Sequence, residues 1–326
     1  MTAASTAGLQ AEYTALRESC GLLVRPSVAV ISVIGEDRQR LLNGLVTCDV
    51  LALEPGRGTF GFFTDVKGHV LADVAVRATS DRLWLELPDS SIVDMAQHIE
   101  KYIVADRVEV LVPEAFGLLT LLGPRAGEVA AELAGSQPLP AGPWDLEEAV
   151  IEGHEAVISA EGRYGVPAVS FWMSPSVAGD LSKTLLDMAD PGDLSRVGGE
   201  AVEVVRVEEG MPVFGRDYGE ENLPQETGLD DAVSYSKGCY LGQEVVARLE
   251  HRGQVARRVT RLSFPPGEPP AVGCALLMEE RDAGRVTSVV PSPVGQQGTA
   301  LAMLQRRALE PGTKLQLETG GSVLVV

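Results

Sequence analysis

Cysteine is scarce in this 326-residue chain: Cys20, Cys48, Cys239 and Cys274 lie far apart and form no Cys-x-x-Cys pair. Such spacing gives neither a zinc knuckle nor a disulfide framework; it predicts reduced thiols and no metal site, and offers no run of cysteines to ligate a resident iron–sulfur cluster. Long apolar runs are missing as well. No stretch approaches the about 18 residues a membrane helix needs, so no membrane partner is expected. The start, Met1 to Gly8, lacks the basic stretch and apolar segment of a secretory leader, and the expected location is the cytoplasm. Positive charge is in short supply: 27 Lys and Arg stand against 46 Asp and Glu, and the net charge of -19 opposes general electrostatic binding to nucleic acid. Repeats and low-complexity tracts are absent.

What is present suits an ordinary globular protein of two or three domains, with 45% hydrophobic and 22% charged residues. Charge is unevenly placed. Glu203 to Asp231 carries nine acidic residues against two arginines, whereas Lys237 to Arg261 carries six basic residues against Glu244 and Glu250. The second segment is either a solvated basic edge or an anion site, suited to a glutamate tail or an RNA phosphate.

Pattern along the chain predicts an α+β protein. Ser27 to Ile34 reads as a strand, followed by a helix capped by Asp37 and stopped at Gly44. Thr59 to Thr64, His69 to Arg77 and Arg82 to Leu87 read as an antiparallel meander. A helix with Ile92, Met95, Ala96 and Ile99 on one face and a strand from Val108 to Val112 complete a first lobe, residues 1–113. A middle lobe, 114–245, contains extended runs at Phe116 to Leu122, Ala156 to Ala160 and Ala168 to Trp172. Its expected helices are Pro124 to Leu133, Ser176 to Met188 and Gly199 to Gly210. Beyond Arg257, short β-rich runs broken by Pro and Gly suit a small antiparallel β-barrel, taken as residues 246–326.

The chemistry-bearing candidates are few. The octet Lys237-Gly238-Cys239-Tyr240-Leu241-Gly242-Gln243-Glu244 sets a lone cysteine between glycines that permit positive φ or close approach, with a cation nearby to favour the thiolate. Cys239 is then a nucleophile, redox group or ligand, or else a small buried residue at a turn. His251 is a possible base for it. Gln243 and Glu244 suit a helix-start cap, and Arg248 suits either an ion pair with Glu244 or a ligand carboxylate. On strand alternation Val70, Ala72, Val74 and Val76 share one face and Asp73 shares the other with His69 and Arg77. Asp73 and Glu208 are carboxylates able to accept from an amide-like edge, or plain surface acids.

The octet, with Leu223-Pro224-Gln225-Glu226 upstream and Glu244-Val245-Val246-Ala247-Arg248 running on from it, resembles the YgfZ-type folate-binding proteins. These are relatives of the aminomethyltransferase (T protein) of the glycine cleavage system. The resemblance extends from about Val28 to Val326 and is weakest between Pro113 and Glu200. It implies a three-lobed aminomethyltransferase-like fold around a central folate site, with the first two lobes able to interleave. It further implies tetrahydrofolate or a derivative as cofactor and a role supporting iron–sulfur enzymes, with client or assembly proteins as partners. The alternatives are a folate-dependent one-carbon transferase and a tRNA-modification protein. By the same resemblance Asp73 matches the folate-orienting aspartate, and Glu208 in Arg206-Val207-Glu208-Glu209-Gly210 matches the glutamate given to the folate ring. Aminomethyltransferases lack the cysteine, so Asp73 and Cys239 are the expected catalytic pair of an accessory protein.

Overall fold

In the computed structural model, which describes residues 3–189, 192–253 and 255–326, helix α1 (Ala3–Glu18) leads into a 15-residue strand, β1 (Cys20–Ile34). The sequence reading contains no such helix. Its apolar stripe is narrow, with Ala15 and Leu16 buried and Leu9 and Tyr13 partly so. After α2 (Arg38–Asn43) come β2 (Gly58–Thr64), β3 (Val70–Ala78) and β4 (Arg82–Glu86), an antiparallel meander as expected. Asp37 does not cap α2 with its side chain; its carboxylate instead accepts the Arg107 N–H at 2.9 Å. Helix α3 (Ile92–Lys101) buries Ile92, Met95 and Ile99.

The next strand, β5 (Glu109–Leu122), is continuous, so residue 113 falls inside an element rather than at its end. Then follow α4 (Ala126–Ala134), β6 (Leu146–Ile151), β7 (His154–Ala160), β8 (Ala168–Met173), α5 (Pro175–Met188), β9 (Leu194–Arg196) and α6 (Gly199–Glu208). All these strands form one nine-stranded sheet in the order β2-β3-β4-β1-β5-β8-β7-β6, with β9 parallel to β1. The long central pair β1 and β5 carries the sheet from one half of the chain to the other. Helices α2 and α3 cover one half through Leu42, Ile92 and Ile99, and α4 and α5 cover the other through Ala126, Ala130 and Ala178. Gly210 closes α6 with a positive φ of 72°, and the Met211 N–H reaches back to the Arg206 carbonyl at 2.8 Å.

A loop-rich stretch leads to α7 (Gln243–Arg252) and then to β10 (Arg257–Phe264), β11 (Ala275–Met278), β12 (Arg281–Val290), β13 (Gly298–Gln305), β14 (Lys314–Leu317) and β15 (Ser322–Val325). These six close into an antiparallel barrel, β10-β13-β12-β11-β14-β15, filled by Leu262, Phe264, Leu276, Leu304 and Leu315. A C-terminal antiparallel barrel is observed as expected, its first strand opening at Arg257, while residue 246 lies within α7. No helix among the described residues is long and apolar enough to cross a membrane.

Candidate functional site

The face of the sheet away from α2 and α3 gathers the candidate carboxylate. Asp73 points from β3 to the Tyr218 hydroxyl, which donates to its Oδ2 at 2.8 Å. Phe62 stands opposite Asp73 on β2, and Tyr218 meets the rings of Phe62 and Phe214 edge-on at 6.0 and 5.9 Å. Burial raises the Asp73 pKa, while the Tyr218 hydrogen bond and the nearby Arg163 guanidinium favour the ionised form. Burial and then the Asp73 charge push the Tyr218 phenol well above its ordinary value. Tyr218 also lines a polar cleft of about 560 Å³ between residues 215–222 and barrel strands β12 and β13.

Simple alternation misassigns the neighbours of Asp73. The β2–β3 ladder pairs Phe63 with Ala72 but Thr64 with Val70, so Leu71 bulges out and Val70 packs with Phe62 and Tyr218 rather than with Ala72, Val74 and Val76. Arg77 is not on a wet face either. It is 1% exposed, and it binds Glu86 at 2.9 Å and both oxygens of Glu161 at 3.0 Å. Arg163 donates to the same Glu86 at 3.0 Å. Burial alone would raise Glu86, but Arg163, Arg77 and Arg25 around it hold its carboxyl down at about 2. His69 lies beyond the bulge at the surface, within 3.5 Å of Asp65.

Glu208 ends α6 beside α1. Its Oε2 accepts the Tyr13 hydroxyl at 3.0 Å and an ion pair from Arg17, while Oε1 makes no hydrogen bond among the described residues. Tyr13 packs in the same cluster as Tyr218, Phe60, Phe62 and Phe214. Each of the two carboxylates therefore accepts a hydrogen bond from a phenol of one shared aromatic cluster. Sequence reasoning missed both tyrosines and Arg17. Tyr218 follows Asp217 in an acidic loop with no periodicity, and α1 was unread.

The octet is a clasp. Lys237 is 8% exposed and its Nζ donates to the carbonyls of Asn43, Val46 and Cys48 at 2.7, 2.7 and 2.6 Å, with burial lowering its pKa to about 8. Three acceptors use all three ammonium protons, so Lys237 anchors the segment to the end of α2 and not to the thiol. The Leu241 N–H binds the Gly44 carbonyl at 2.9 Å and the Leu241 carbonyl accepts from the Thr64 hydroxyl at 2.6 Å. Gly242 has φ of 81°, and a Cβ there would fall 2.4 Å from the Asp65 carbonyl oxygen. Gly238, by contrast, faces open space and has no positive φ. Between these fixed points Tyr240 is buried and Cys239 is exposed.

The remaining candidates separate from this arrangement. Neither Gln243 nor Glu244 makes a side-chain cap to α7 among the described residues. Arg248 is exposed on α7 without an ion pair to Glu244 or any other described residue, and the side chain of His251 lies outside those described. Three arginines of the basic segment have partners within the chain: Arg257 binds Glu226, Arg258 binds Asp230, and Arg261 donates to the Glu208 carbonyl.

The family model described as GCVT N-terminal domain matches residues 2–237. The chain belongs to this family. Among curated relatives, an aminomethyltransferase of Bacillus subtilis (strain 168) is 24% identical over 317 residues, covering 95% of this chain and 86% of that protein. A "tRNA-modifying protein YgfZ" of Vibrio vulnificus (strain CMCP6) is 28% identical over 286 residues, covering 82% of each. Among solved structures, the glycine cleavage system aminomethyltransferase T from Bartonella henselae superposes with a TM-score of 0.84 at 21% identity, covering 98% of this chain and 88% of that one. This last likeness establishes the aminomethyltransferase-like fold.

Proposed function

We propose that this chain binds a reduced folate and serves as a YgfZ-type accessory protein for iron–sulfur enzymes, with Cys239 in the functional step. The observation that carries the reading is the pair of carboxylates, Asp73 and Glu208, each bonded to a tyrosine of one aromatic cluster. The residues fit a pterin. Aromatic side chains suit its flat ring, ionised Asp73 and the free Oε1 of Glu208 are acceptors for its N–H edge, and an acceptor-only group orients such an edge without competing donors. Folate, when bound, supplies a carrier for one-carbon units. Asp73 orients it, Tyr218 and Arg163 oppose the rise that burial imposes on the Asp73 pKa, and Tyr13 and Arg17 fix Glu208.

An accessory role is favoured over aminomethyl transfer because the clasp holds a thiol that the transferases lack in a rigid, solvent-facing position. An RNA role, which the name of the Vibrio relative suggests for that protein, draws no support from Arg257, Arg258 and Arg261, which are committed to acceptors of this chain.

Calorimetry with tetrahydrofolate under reducing, anaerobic conditions tests the reading. Wild type and Cys239→Ala should bind alike, whereas Asp73→Asn and Glu208→Gln should each lose affinity by about tenfold or more, the effect of removing a charge-assisted hydrogen bond. Absence of saturable binding in the wild type removes the central support. Methylene-folate formation from an aminomethyl donor, whose carbon is already at the formaldehyde oxidation level and whose transfer releases ammonia, would restore the one-carbon transferase.

A further inference from the structure

The face that carries Asp73 continues across β4, β1, β5 and β8 to a second, larger depression of about 970 Å³, walled by β6, β7 and the start of α5. Trp84, Phe116 and Trp172 make its floor, with ring centroids 5.0 to 6.3 Å apart. Behind that floor Trp172 carries Arg77 on its ring, 5.6 Å from the centroid, and Arg77 is bound in turn to Glu86 and Glu161.

The cleft is acidic as well as aromatic. Glu114, Glu148 and Glu155 line it together with His154, and among the described residues no lysine or arginine does. Glu148 and Glu155 are exposed and form no ion pair among the described residues. Among the described residues the cation close by is Arg82, which reaches Glu114 at 3.8 Å and lies within electrostatic range of Glu148 but is held by Asp81 through both oxygens. Trp84 is 8% exposed and its indole N–H finds no acceptor. Volume, apolar floor and unpaired carboxylates are together those of a recognition site for a positively charged segment with an apolar anchor.

The geometry points to this cleft as a docking site for a short basic peptide segment of a partner protein, with a hydrophobic side chain on Phe116 and lysine or arginine at Glu148 and Glu155. Charge complementarity selects the occupant: an acidic or neutral segment would leave both carboxylates facing a desolvated apolar surface without compensation. The site is independent of folate binding.

Fluorescein-labelled Lys-Phe-Lys-Leu-Lys and its counterpart Glu-Phe-Glu-Leu-Glu, titrated with the full chain and followed by anisotropy, test it. The basic peptide should bind saturably and the acidic one should not. Affinity should fall about tenfold in Glu148→Gln/Glu155→Gln, consistent with loss of two interfacial charges. It should also fall in Phe116→Ala, yet persist in Glu132→Gln/Glu200→Gln, which removes the same charge from exposed sites elsewhere. Calorimetric tetrahydrofolate binding should be unchanged in the cleft variants, so loss of folate binding alone leaves this proposal standing. Equal loss in the Glu132/Glu200 variant, equal binding of the acidic peptide, or no saturable binding of the basic one overturns it.

Discussion

A phenol that donates to a buried carboxylate sets the pH at which that carboxylate is charged. Asp73 has its pKa raised by burial, and the Tyr218 bond opposes that rise. If folate is bound by ionised Asp73, affinity should fall as pH drops through the Asp73 pKa, at a midpoint above the ordinary value of 3.8. In Tyr218→Phe the donor is gone, the ionised form loses its bond, and the midpoint should move to higher pH. Calorimetry across a pH series reads this directly. A uniform loss of affinity with an unmoved midpoint would mean that Tyr218 only packs. For stability the sign is opposite: because the folded pKa lies above the unfolded one, Asp73 protects the fold below 3.8 and that contribution is lost as pH rises through the raised value.

Elements explain why two similar glycines in one motif differ. Gly242 lets the octet pass against the turn between β2 and β3 with a positive φ, so Gly242→Ala combines backbone strain with a clash against the Asp65 carbonyl and should cost about 2 kcal/mol or more. Gly238→Ala adds a methyl group into open space and should stay within about 0.5 kcal/mol of wild type. Urea denaturation of the two variants measures both, and similar losses would contradict the clasp. This contrast was hidden in the sequence, where Gly238 directly before Cys239 and Gly242 three residues after it offer the same backbone freedom. The meander, the helix at residues 92–101 and the barrel were legible because alternation, amphipathic spacing and Pro/Gly breaks are local signals. The bulge at Leu71 was not, since a one-residue insertion in a ladder depends on the partner strand, and it changed what Val70 packs against. The roles of Lys237 and Arg77 were equally illegible: each is fixed by acceptors that lie far away along the chain, the Asn43 carbonyl in one case and the Glu161 carboxylate in the other.

At the scale of the whole molecule, the buried charges joining β3, β4 and the segment after β7 tie the two halves of the sheet together. Arg77→Ala would leave Glu86 and Glu161 buried with only Arg163 and a more distant Arg25 to answer them. A loss of about 3–5 kcal/mol follows from stranding buried carboxylates, visible as a lower urea midpoint. Arg77→Met, which keeps the volume, should do no better, because the missing quantity is charge.

Strand β1 is hydrogen-bonded to β4, β5 and β9, partners drawn from residues 82 to 196, while the barrel from Arg257 onward pairs only with itself. A chain break between residues 20 and 196 would therefore part strands that need each other, whereas the barrel closes its own ladder and leans on the rest through side chains such as Val259, Val290 and Leu301.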